Sequence, residues 1–151
     1  MVEEYPDDLI GGEIVPPLVV KGNHVISGEH KGTVYVEKGK LVIDGTNIGT
    51  LNILENACAE INGKQQGNMN IEKDSKVTVC GVVEGTTTLE EGSTLVLEDA
   101  GKVSGSLFNF GSVVIRGVFG GAINGSGEMK VEDGGQIKKP VIKDGLLFIE
   151  W

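Results

Sequence analysis

The sequence predicts an all-β chain wound as a single-stranded, three-sided parallel β-helix, with about eighteen residues per coil and about seven coils. Three observations predict it. Leu41, Ala59, Val77, Leu95 and Val113 stand eighteen positions apart, and none is polar. Two residues on, Ile43, Ile61, Val79, Leu97 and Ile115 keep the same spacing. Two further on come Gly45, Gly63, Gly81, Asp99 and Gly117, so a turn residue follows each apolar pair. A fixed period of this kind marks stacked structural repeats.

A second set of columns runs in step with the first. Val34, Leu51, Met69 and Thr87, then Val36, Ile53, Ile71 and Leu89, recur at seventeen and then eighteen residues, each just after Gly32, Gly49, Gly67 or Gly85. Within each pair, the order apolar, other, apolar is the period-two pattern of a strand with one buried face. Antiparallel meanders give no reason for one residue-to-residue period to persist, because alternate strands run in opposite directions. Parallel coils do, since each turn sets equivalent side chains above one another at about 4.8 Å. The pattern extends upstream through Ile26 and Gly28, and downstream through Met129 and Val131 with a small slip.

Two sides of the coil are clear in these columns. Ile48, Val83 and Val103 suggest the third, which Gln65-Gln66 interrupts. Near Ser104 to Gly125, where Leu107, Phe108 and Phe110 replace the simple pattern, a wider or bulged turn is expected. The columns specify the winding without fixing its hand. The resulting organisation is an acidic, Pro-containing lead-in or cap over 1–22, a solenoid over 23–139 and an apolar C-terminal cap strand over 140–151.

Composition agrees with a regular fold of one domain. Twenty-four glycines against four prolines need a repeating structure to offset their entropic cost, and glycine lacks the every-third spacing of collagen. A net charge of −9 excludes a nucleic-acid surface, which needs concentrated Lys and Arg, and leaves a basic protein partner electrostatically open. No apolar run approaches the roughly 18 residues that span a bilayer, and the acidic start Met1-Val2-Glu3-Glu4 is unlike a secretory signal. A cytoplasmic location is therefore expected. Leu18-Val19-Val20 beside Pro16-Pro17 has two readings, a peripheral membrane contact or a short β-segment entering the fold, and the β-segment is favoured.

Chemistry finds little support in the sequence, and no catalytic, cofactor-binding or metal-binding residues are assigned. Cys58 and Cys80 form no CxxC, His24 and His30 are the only histidines, and both lie at the first coil. No GxSxG elbow, phosphate loop or calcium-binding GGxGxD ladder is present. The expected activity is binding rather than catalysis. Two features point to an interface: the outward positions Val42, Val96 and Val114, and the terminal run containing Leu147, Phe148 and Trp151, which closes its own core or meets another subunit.

The segments Gly39-Lys40-Leu41-Val42-Ile43-Asp44-Gly45 and Val103-Ser104-Gly105-Ser106-Leu107 resemble the repeated pattern of the bactofilins, a bacterial polymer-forming cytoskeletal family. The resemblance runs from Val25 to Ile123, about two-thirds of the chain. It implies a right-handed triangular β-helix that assembles into nonpolar filaments without nucleotide and acts as a cytoplasmic scaffold. A short acidic solenoid equally suits a protein-binding module, such as an immunity protein that neutralises a cognate basic toxin. The left-handed hexapeptide acyltransferases share the coil length but are disfavoured, because no histidine lies in the middle coils.

Overall fold

Alternation decides which side chains enter the core. In Leu41-Val42-Ile43 the outer two residues are fully buried and the middle one is half-buried, and Leu51-Asn52-Ile53 repeats the arrangement. The computed structural model describes residues 8–10, 12–15, 17–132, 134–138, 141–143 and 146–148, with side chains described at 12, 17–132 and 134–138. Within them all regular structure is β-strand.

Three faces wind about one axis. Face A stacks seven strands: Asn23–Ile26, Lys40–Ile43, Cys58–Ile61, Lys76–Val79, Thr94–Leu97, Ser112–Ile115 and Glu128–Val131. Face B stacks Glu29–Lys31, Thr46–Ile48, Lys64–Gln66 and Val82–Glu84, continues into the first halves of Lys102–Asn109 and Val118–Asn124, and ends at Gln136–Lys138. Face C holds Leu18–Val20, Val34–Val36, Leu51–Ile53, Met69–Ile71 and Thr87–Leu89, then the second halves of the two long strands. Every pairing within these faces is parallel. The stack begins at Leu18, earlier than 23, because Leu18–Val20 pairs with Val34–Val36.

The expected register is the observed one. Leu41, Ala59, Val77, Leu95 and Val113 are successive partners on face A, as are Ile43, Ile61, Val79, Leu97 and Ile115. All ten are buried, and each fully buried Leu, Ile or Val stabilises the fold by about 1.5–3 kcal/mol. Backbone hydrogen bonds carry the stack around the corners as well, for example Lys64 N–H to Gly45 O at 2.9 Å and Val82 N–H to Gly63 O at 2.9 Å.

The corner between faces B and C shows why glycine recurs there. Gly67 and Gly85 sit at φ +131° and +129°, a region that L side chains rarely adopt. A Cβ on Gly85 would also overlap the carbonyl of Gly67 directly beneath it, and a Cβ on Gly67 that of Gly49. Tight stacking and a left-handed backbone are thus needed at the same point.

The third face departs from expectation. Its inward column is His30, Asn47, Gln65, Val83, Val103 and Phe119; Ile48 pairs with Gln66 on the outward side. Gln65 therefore continues the column rather than interrupting it. Its amide is satisfied inside the coil, so a polar residue can occupy an interior rung.

The irregular coil also differs in detail. Lys64 pairs with Val82, Val82 with Lys102 and Lys102 with Val118, steps of eighteen, twenty and sixteen residues. Two extra residues enter at the corner after Leu97, so the buried corner glycine is Gly101, and Asp99 lies exposed on the enlarged turn. The chain recovers its register at Phe110-Gly111, where the corner is shorter by two residues than Glu90-Glu91-Gly92-Ser93 one coil earlier. The widened turn thus lies upstream of Ser104, and the expected irregular stretch contains two continuous strands.

Outside the solenoid, Asp8–Ile10 pairs antiparallel with Glu13–Val15, and Val141–Lys143 with Leu146–Phe148. The single C-terminal cap strand expected over 140–151 is therefore two short strands. The side chains of Leu147 and Phe148, and all of Trp151, lie outside the described residues.

Candidate interaction surfaces

The two open ends of the stack differ in chemistry because different residues occupy the same inward columns. At the start these are Leu18 and Val20 on face C, His24 and Ile26 on face A, and His30 on face B. At the end they are Ile123 on face C, Met129 and Val131 on face A, and Ile137 on face B. These rungs are apolar, although the second inward column of face C ends in buried Asn109, and Ile123 is 40% and Val131 48% exposed. Glu128–Val131 and Gln136–Lys138 are also the last strands of their faces among the described residues, so each has an edge without a strand partner.

The lateral face sets Val42, Val96 and Val114 in one outward column with Val25, Glu60, Thr78 and Lys130. The three valines are half-buried, and Val25 is exposed. Glu60 and Thr78 separate Val42 from Val96, so the apolar stripe is in two parts. Lys40 and Glu60 approach to 3.8 Å across it, an exposed ion pair of little energetic weight.

The corner between faces A and B carries a polar ladder. Asn62 donates to Asp44 Oδ1 at 2.9 Å, and Arg116 donates to Glu98 at 2.6 Å and Glu132 at 2.5 Å. The hydrogen bond from Arg116 holds the Glu132 carboxyl below the usual carboxylate range, and the same bonds raise the Arg116 guanidinium further. Cys80 stands between Asn62 and Glu98 in this column. Burial first, then the negative charges of Glu60 and Glu98, push its thiol up and so favour the protonated form. Cys58 and Cys80 are both free and half-buried.

Inside the coil, His30 Nδ1 meets Asn47 Oδ1 at 2.8 Å, Asn47 Nδ2 donates to Gln65 Oε1 at 2.7 Å, and Gln65 Nε2 donates to Gly49 O at 2.8 Å. The backbone acceptor at Gly49 orients the Gln65 amide, which orients Asn47, which in turn makes His30 Nδ1 the donor. His24 is exposed, whereas His30 is the outer end of this interior chain. The shared step from 30 to 47 to 65 was a signal of that chain, hidden by the expectation that every inward column is apolar.

No group of His, Cys, Asp and Glu among the described residues is arranged to hold a metal ion. No helix among them is long and apolar enough to cross a membrane.

Fold and surfaces together define a three-sided parallel β-solenoid with unlike ends and an aliphatic C-terminal rung. No protein-family model, curated protein or solved structure matches the chain.

Proposed function

We propose that the protein is a non-enzymatic cytoplasmic scaffold that self-associates through its solenoid. One observation carries this reading: aliphatic columns of the core run out to exposed Ile123 and Val131, beside strand edges that have no further strand among the described residues. Such an end is complementary to another like it, because it offers apolar surface together with unpaired backbone groups. The outward Val96 and Val114 on face A are the candidate lateral contact, and the C-terminal run with Leu147, Phe148 and Trp151 is a further one. The resemblance to bactofilins supports the same reading.

Sedimentation velocity and negative-stain microscopy test it. Purified protein is expected as filaments or large particles. Ile123→Asp with Val131→Lys is expected to disperse them while the thermal transition remains. A monomer at every concentration overturns self-association and favours the second reading, a module that binds a basic protein through the −9 net charge.

A further inference from the structure

The outward side of face C carries a feature independent of self-association. Its central column runs Tyr35, Asn52, Asn70, Thr88 and Phe108, each paired in register with the next. Five rungs spaced by about 4.8 Å spread it over roughly 19 Å. Beside it lies a corner column containing Glu72, Glu90 and Phe110, whose backbone amides each donate to the face C strand one coil below. Between the columns, Asn52, Asn70, Ile71, Glu72, Thr88 and Glu90 line a shallow groove of about 290 Å³.

Two properties of this groove are costly for a strand surface that has only to face water. Asparagine is disfavoured in strands, yet Asn52 and Asn70 hold the middle of two successive ones. Near the end of the column, which Asn124 closes, Phe108 and Phe110 are 38% and 48% exposed, and alternation places both outward. The bond from Asn70 Nδ2 to Asn52 Oδ1 at 2.9 Å orients the amides along the axis. An amide ladder strengthens a stack by itself, but that leaves the exposed rings near it unexplained.

We propose that this groove binds a neutral, linear oligosaccharide. Planar amides and carboxylates match neighbouring hydroxyls, which both donate and accept, and an exposed ring takes the C–H side of a sugar ring; a few placed polar groups beside aromatic surface is the usual makeup of a small-molecule site. The carboxylates of Glu72 and Glu90 disfavour a polyanion. Because hydrogen-bonding groups occupy the successive rungs Asn52, Asn70 and Thr88 with Phe108 beyond them, an extended chain engages more of them than a compact ligand.

NMR titration of the full chain with cellohexaose and chitohexaose, and with an oligogalacturonate as the anionic counterpart, tests the proposal. At least one neutral hexasaccharide is expected to shift the amides of Asn70, Thr88 and Phe108. Asn70→Ala and Phe108→Ala each weaken that binding about tenfold or more, the size of one lost hydrogen bond or ring contact. Both side chains point outward, so the thermal transitions stay near that of the parent, and Thr88→Ala serves as a third variant if either does not. Absence of binding by both neutral sugars, unchanged affinity in the variants, or tighter binding of the oligogalacturonate overturns it.

Discussion

Asn47 donates from Nδ2 to Gln65 Oε1 across 2.7 Å at a depth where neither side chain has any exposed surface. A solenoid can hold such a pair because stacking places equivalent side chains directly over one another, so each amide finds its partner one coil away. Removing one member leaves the other buried and unpaired, which costs about 1–3 kcal/mol, whereas two apolar residues of similar shape can be nearly neutral. Asn47→Leu and Gln65→Leu are each expected to lower stability by that amount, and the double variant by less than their sum. A urea-denaturation double-mutant cycle checks this, and additive losses would show that the two amides do not act as a unit.

Thr87 presents the opposite case. It follows Met69 and precedes Leu107 in an inward column of face C, and its Oγ1 meets no hydrogen-bond partner. Thr87→Val keeps the shape and removes the unpaired hydroxyl. Stability is expected to rise by about 1 kcal/mol, read from the denaturation midpoint at unchanged slope.

These two sites show what the sequence could and could not reveal. The columns of faces A and C were legible because aliphatic residues repeat at eighteen while their neighbours vary, as at Ile43, Ile61 and Val79. Face B was not, since its rungs at Asn47 and Gln65 are polar and hydropathy cannot distinguish a satisfied interior amide from an exposed one. Ile48, which hydropathy suggests as inward, stands one residue from the true rung, and in a strand a one-residue slip reverses the face. The exposed rung at Ile123 and Val131 had no signature either: the same aliphatic residues inside another coil would be core, and only the end of the stack makes them surface. The offset at Asp99 and Gly101 was hidden because the extra two residues are returned two corners later, which restores the period on face A.

Backbone conformation separates the demands of two corners of one coil, at Gly67 and at Asp74. Gly67 needs both a positive φ and the absence of a Cβ, while Asp74 reaches φ 59° with a side chain that points to solvent. Gly67→Ala is expected to destabilise by several kcal/mol, since strain of about 1–3 kcal/mol adds to overlap with the Gly49 carbonyl. Asp74→Gly relieves strain and is expected to be neutral or stabilising by up to about 1 kcal/mol. Thermal denaturation of the two variants checks the contrast, and similar losses in both would remove the case for stacking at the glycine corner.

The Arg116 ladder sets a pH dependence whose sign follows from Glu132. Its carboxyl is held below the ordinary range in the folded chain, first by the hydrogen bond from Arg116. Protons therefore bind the unfolded chain more readily there, and the pair's contribution is present above the ordinary carboxylate pKa of about 4.3 and lost as pH falls through the lowered value. The carboxylate and guanidinium are both partly exposed, so solvent and salt screen the effect. The difference in stability between the parent and Arg116→Gln is expected to be widest above about pH 5, to narrow as the solution is acidified below the carboxylate range, and to shrink in high salt. Urea titrations at a series of pH values measure it. A gap that stays the same across the pH series would mean that Arg116 stabilises the corner through packing of its side chain and not through its charge.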